Sequence, residues 1–242
     1  MAARRWQRAS WWAIALTFIG IGLFVRLGIW QLDRARAAQA LLDAFADATS
    51  APPEDFAAVA EAPPADRFPR VRVAGRFLPD RGYLRDEQMH AGRLGVEAYG
   101  VFEADGSPAL LLVDRGFVPW AHAPGTQPVL PPLPTDATLL TGLYAPFPGS
   151  GLRPGGNRLP AQAQWPKLTL AIDPAEIAAD LGRPLLPRVL LLDADPASGF
   201  TREWTPALMP PARHTAYAFQ WFAFAAATLA LFIGLHWKRV EK

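Results

Sequence analysis

Two apolar runs at opposite ends of this chain constrain its fold more than any other feature. Residues 11–30 are apolar apart from Thr17, Arg26 and glycines, and residues 216–235 carry no formal charge. At ~1.5 Å of rise per residue, a helix of about 20 residues spans roughly 30 Å, the thickness of a bilayer's hydrocarbon core. The expected architecture is two transmembrane α-helices, one at each end, flanking a domain that lies in the water on one side. The stretch between them is long enough to build a core of its own.

The flanking charges give an expected orientation. Arg4, Arg5 and Arg8 precede the first run, and Lys238, Arg239 and Lys242 follow the second. The positive-inside rule then places both termini in the cytoplasm and the central domain outside, in the periplasm if the membrane is a cell inner membrane, or in an intermembrane-type space. Arg26, Arg34 and Arg36 lie on the other side of the first run, but long translocated domains tolerate such charges. The first run is longer than a signal-peptide core and no small-residue cleavage site follows it, so it reads as an uncleaved anchor. Residues 31–48 are rich in Ala, Leu, Arg and Gln and lack Gly and Pro, which extends the helix out of the membrane. The expected boundaries are a tail over 1–10, a span over 11–30 and its extension over 31–48. A β-rich domain over 49–212, a span over 213–235 and a tail over 236–242 follow. Arg26 lies four residues before Trp30, roughly 6 Å from the end of the span, where it can snorkel to the headgroups.

Composition removes whole classes of function. The net charge of +2 gives no nucleic-acid footprint. With no cysteine, disulfides, thiolate-bound zinc, iron–sulfur clusters, covalent c-type haem and thiol catalysis are all excluded. Four histidines, His90, His122, His214 and His236, argue against a multi-histidine metal site. The 25 prolines cluster at 52–53, 63–64, 128–134 and 205–211 and mark linkers and turns.

The central stretch reads as a mainly antiparallel β domain with one short helix. Val71, Val73, Gly75 and Phe77 alternate with Arg70, Arg72, Ala74 and Arg76, a period-2 pattern with an arginine-lined outer face. A turn is expected at 79–82, with a partner strand through Tyr83 and Leu84. Strands over 95–103 and 109–114 flank the hairpin dipeptide Asp105–Gly106. Further strands are expected over 138–144, 167–172 and 188–193. Asp173, Pro174, Glu176 and Gly182 supply the cap, first-turn and stop signals of a helix. Loop 145–166 is rich in Gly and Pro.

No phosphate loop, nucleophile elbow or HExxH motif is present. His90 and His122 read as solvated loop histidines. The pairs Asp86/Glu87 and Asp193/Asp195 read as exposed turn carboxylates, so an envelope enzyme has no motif behind it. His214 differs, because it sits two residues before the second apolar run. On a helix, His214, Tyr217 and Trp221 fall at i, i+3 and i+7. This stripe suits an interfacial aromatic belt. It also suits an imidazole offered to iron in a flat apolar site, with haem propionates facing Arg213 or Arg26. Trp30 and Arg34, four apart, can form a cation–π pair or act as separate interfacial anchors.

Four segments carry a family resemblance. Leu27–Gly28–Ile29–Trp30–Gln31–Leu32–Asp33–Arg34 resembles the LGxWQxxR signature that ends the first helix in the surfeit locus protein 1 family of cytochrome c oxidase assembly factors. The strand over 70–77 resembles that family's Val-rich G-x-F strand. Leu112–Val113–Asp114–Arg115–Gly116–Phe117–Val118–Pro119 is similar to its LVNRGWVP segment, with Asp114 where Asn is usual and Phe117 where Trp is usual. His214–Thr215–Ala216–Tyr217–Ala218–Phe219–Gln220–Trp221 resembles its H-x-x-Y-A-x-x-W start to the second helix, with Arg213 where Asn is common. The resemblance implies a non-enzymatic factor in the maturation of cytochrome c oxidase subunit I in the respiratory chain. For bacterial members it implies haem A binding, which makes His214 the candidate iron ligand and Tyr217, Trp221, Trp30 and Arg34 the residues that shape or anchor the site. The alternative is a cofactor-free membrane chaperone that docks subunit I or haem A synthase through the arginine strand face or loop 145–166.

Overall fold

A computed structural model describes residues 4–6, 8–122, 126–149, 156–204, 206 and 208–239. Parts of the turn expected near His122 (123–125), of loop 145–166 (150–155) and of the two tails (1–3 and 240–242) lie outside the described residues. The chain divides into two compact units, one of Met1–Asp43 with Ala207–Lys242, the other Ala44–Pro206. In chain order the elements are β1 (Arg4–Trp6), α1 (Trp11–Ser50), β2 (Glu54–Asp55), β3 (Arg70–His90), β4 (Arg93–Ala104) and β5 (Leu110–Pro119). There follow β6 (Thr138–Ala145), β7 (Lys167–Thr169), α2 (Pro174–Leu181), β8 (Leu185–Leu192), α3 (Pro211–His236) and β9 (Trp237–Arg239).

The first unit is an antiparallel pair of long helices. Both α1 and α3 are long and apolar enough to cross a membrane, and only 6% and 11% of their most apolar windows is buried. Their outer surfaces therefore need an apolar solvent. At 40 residues, α1 extends about 60 Å, twice the bilayer core, so the expected extension past residue 30 is one continuous helix. The Phe222 ring of α3 seats against Gly28 of α1, where a Cβ would lie 2.6 Å from it. Below that contact Phe24 stacks on Trp221 at 5.9 Å, and at the far end Trp6 stacks on His236 at 5.8 Å. β1 and β9 pair antiparallel there, with Trp6 opposite Trp237.

In the second unit, β3, β4, β5, β8 and β6 close into a ring, because β6 pairs with both β8 and β3. The sheet is mixed but mostly antiparallel, with parallel pairings of β5 with β8 and of β2 and β7 with β3. Inside the ring Val71, Val73, Phe77, Phe102, Leu111, Val113, Tyr144 and Leu190 form one core. Outside it, Tyr99, Val101, Leu110, Leu112 and Val189 pack beneath Ile177 of α2, Leu159 and Ile172. Nine consecutive residues of β5, Leu110 to Val118, are thus buried. A strand covered on both faces reads as an unbroken apolar run.

Two local expectations are corrected. Residues 79–82 form no reversing turn but a bulge within the 21-residue β3, where the register against β4 shifts between Phe77 and Gly82. Asp80 takes a φ of 54° there, and the bend lets β3 pair with β6 before the bulge and with β7 after it. The reversal occurs instead at Ala91 and Gly92, with φ 47° and 76°. The strand expected over 167–172 ends at Thr169, whose hydroxyl bonds the Ala171 N–H and carbonyl and turns the chain away. The Asp105–Gly106 hairpin and the capped helix form as expected. The Asp173 side chain accepts from the N–H groups of Ala175 and Glu176, and Gly182 closes α2 at φ 65°.

Buried polar groups tie the loops to the ring. Arg188 donates to the carbonyls of Pro64, Arg67 and Tyr144. Arg115 donates to those of Pro131 and Pro132, both at 2.8 Å. Its burial, with Arg202 nearby, pulls its guanidinium down to about 10. Asp114 is fully enclosed, 2% exposed, and accepts from the Gly116 N–H at 3.1 Å. Burial above all, and then the charge of Glu97, push its carboxyl well above the usual range.

The folded state therefore holds the Asp114 proton to a higher pH than the unfolded chain, which releases it near pH 4. The associated stability is complete below that value and is lost as pH rises from there through the raised folded pKa. Asp114→Asn should remove up to ~1.4 kcal/mol per pH unit of that slope and raise stability at neutral pH. Thermal unfolding of the detergent-solubilised protein across pH 4–8 measures it, and identical slopes for both proteins would refute the assignment.

Candidate functional site

The residue types singled out in the sequence collect on the helix pair. His214 lies in the first turn of α3, half-buried against α1, with its Nδ1 2.8 Å from Oε1 of Gln31. Trp221, two turns further on, is half-buried on Phe24. Tyr217 is 39% exposed and Trp30 51% exposed. The Arg34 guanidinium stands 5.9 Å from the Trp30 ring centre, within cation–π range, which is the first of the two arrangements open to this pair.

Helical geometry places these residues relative to one another. Phe24, Gly28, Gln31 and Ala35 recur at intervals of four, three and four, and form the face of α1 turned to α3. His214, Ala218, Trp221 and Ala225 form the answering face, with Ala218 and Ala225 buried. At roughly 100° per residue, Gly28 and Phe222 lie toward one side of this seam. Gln31, Leu27 and Arg34 lie toward the opposite side, as do Tyr217, Trp221, Phe224 and Arg213 of the antiparallel α3. Trp30 stands further round the same side. One flank of the pair is therefore closed by Gly28 against Phe222. The other is open and lined by rings, with His214 and Gln31 at its floor. Arg26, a possible anion partner by sequence, falls on the back of α1, roughly half a turn from α3.

Two members of this arrangement escaped the sequence reading. Gln31 stands inside the 27–34 segment and Phe24 one turn before it, but their role depends on which face of α1 meets α3. The 28, 31, 35 spacing of small and polar residues, continued by Phe24, was the available signal.

The flank has defined chemical capacities. A lone imidazole suits a metal that brings its other ligands with it, and iron in a tetrapyrrole is such a metal. Aromatic rings along the seam suit a flat apolar molecule, and Arg34 and Arg213 at its outer end suit carboxylates. Among the described residues no group of three His, Asp or Glu is arranged around a metal-sized site.

In the β unit the polar residues have partners instead. His122 is no solvated loop histidine. Its Nε2 lies 2.5 Å from Asp86 Oδ1, its Nδ1 lies 3.1 Å from the Trp120 carbonyl, and its ring packs on Trp120. Asp86 is correspondingly not an exposed turn carboxylate. His90 packs on Phe117 and lies 3.4 Å from Glu203. Of the arginine face on β3, Arg70 pairs with Asp193 at 2.5 Å and Arg76 with Glu103 at 2.9 Å. Hydrogen bonds from Arg183 and then Arg76 hold Glu103 below the usual carboxylate range. That face is largely neutralised. Lys167, Asp180 and Tyr83 form a buried cluster beside Trp165, in which burial and then Asp180 push the phenol upward.

A comparison with curated proteins finds no match. The SURF1 family model matches residues 18–226, from within α1 to within α3, and so takes in both segments that build the open flank. The chain belongs to the SURF1 family of cytochrome oxidase assembly factors.

Proposed function

We propose that this protein binds haem A on the open flank of its helix pair and assists its insertion into cytochrome c oxidase subunit I. The observation that carries this reading is the placement of His214. It is half-buried at the seam, with one ring nitrogen engaged by Gln31 and aromatic residues along the same side. Haem A, when bound, supplies an iron that already carries four ring nitrogens, so one imidazole suffices as the protein's ligand. His214 offers that nitrogen. Trp221 and Phe24 provide apolar walls, Tyr217 and Trp30 border them, and Arg34 and Arg213 meet the propionates. No covalent bond is made or broken, and the role is that of a carrier rather than an enzyme.

Topology is part of the proposal. With both termini cytoplasmic, His214 lies at the outer membrane surface, more than six turns of largely apolar helix before the C-terminal basic residues. Alkaline phosphatase fused within the β unit should be active, and fusions at either terminus should not. The reverse pattern would place His214 on the cytoplasmic side and overturn the orientation.

His214→Ala should lower haem affinity at least tenfold, about 1.4 kcal/mol, and remove the visible spectrum of an imidazole-ligated iron. The detergent-solubilised protein titrated with haem gives both readouts. Unchanged uptake and spectrum would remove His214 from the role, and the scaffold reading would then stand.

A further inference from the structure

We infer that Gln31 is a positioning residue that locks His214 in its Nδ1–H tautomer and so leaves the Nε2 lone pair as the only one available to a metal. The purpose of this lock rests on the haem-binding reading, whereas its geometry does not. The atom of Gln31 that meets Nδ1 is Oε1, at 2.8 Å. A carbonyl oxygen only accepts, so Nδ1 must carry the proton, and in a neutral imidazole Nε2 is then unprotonated. With Oε1 facing Nδ1 as here, the opposite tautomer would set two lone pairs against each other, and it could be accommodated only if the Gln31 amide turned over to present its NH2 instead. Free imidazole has no such constraint and interconverts.

The choice of glutamine has a second consequence. A histidine ligand whose outer N–H faces a carboxylate gains imidazolate character and binds metal more firmly. A neutral amide orients the ring equally well but draws less on the proton. The ligand stands on α3 and its orienting group on α1, so the lock exists only while the helices are paired. The result is an oriented ligand of moderate strength, as a carrier that must release its cargo requires.

The test begins without haem. Full-length protein labelled with 15N-histidine and placed in nanodiscs reports the His214 tautomer by NMR, with His214→Ala to assign the signal. The wild type and Gln31→Glu should both show Nδ1–H. Gln31→Leu, verified as folded by circular dichroism, should shift toward Nε2–H. Nε2–H in the wild type, or an unchanged tautomer in Gln31→Leu, would overturn the lock. Haem titration follows. Gln31→Leu should bind about tenfold more weakly with an altered ferric spectrum, whereas Gln31→Glu should bind and release haem more slowly than the wild type. Equal affinities and spectra in all three proteins would overturn the positioning role toward iron. A wild type that shows Nδ1–H yet takes up no haem would refute the haem-binding reading and leave the tautomer lock standing.

Discussion

The seating of the Phe222 ring of α3 against Gly28 of α1 is the constraint on which the membrane unit depends. In lipid no hydrophobic force drives helices together, so pairing rests on packing of small residues against large ones and on polar contacts across the seam. Gly28 lets the Phe222 ring lie where any side chain would collide with it. The same pairing brings Gln31 to His214 and Phe24 to Trp221. The candidate site is a consequence of this packing. A glycine that touches no ligand thereby decides which residues share a flank.

In the β unit the equivalent constraint is the length of β3. A straight strand of 21 residues could not follow a narrow ring, and the bulge after Phe77 lets it turn. The first half then closes the ring through β6, and the second half carries β7 outside it. Closure removes most exposed strand edges. Where β7 leaves one, the Gln162 side chain bonds both the N–H and the carbonyl of Leu168 and takes the place of a further strand. With its arginine face neutralised and its loops tied down by Arg115 and Arg188, the unit is built for shape rather than for charge.

The elements with strong local signals were legible in the sequence. The two apolar runs, the Asp105–Gly106 hairpin and the cap and stop of α2 depend on residues within a few positions of one another. Period-2 alternation likewise located the start of β3. What was not legible depends on contacts distant in sequence. The stretch Pro79 to Gly82 carries turn residues whether the chain reverses or only bulges, and the outcome is set by β6 and β7. His122 looked solvated because Asp86, its partner, stands 36 residues away. The candidate site divides in the same way. Type and spacing alone left His214, Tyr217, Trp221, Trp30 and Arg34 equally readable as an interfacial aromatic belt, and it was the family resemblance that marked them as a candidate site. The inclusion of Gln31 and the exclusion of Arg26 required knowing which faces of the two helices meet.

That division bears on what the site can do. A storage site for a metal group would enclose it and supply ligands on both sides of the iron. The flank here offers one imidazole, oriented by an uncharged amide, on a surface that faces sideways from a pair of helices rather than inward. A flat apolar molecule held there keeps one face available to a second protein in the same membrane, so it need not cross water to be passed on. On the proposed reading, the arginines at the outer end would restrain its polar edge, and that restraint would weaken with competing carboxylates or salt. On that reading, moderate ligand strength, lateral access and a screened anchor would each favour transfer over retention. Those properties match the work of an assembly factor, whose task ends when the recipient binds the cargo more tightly than it does.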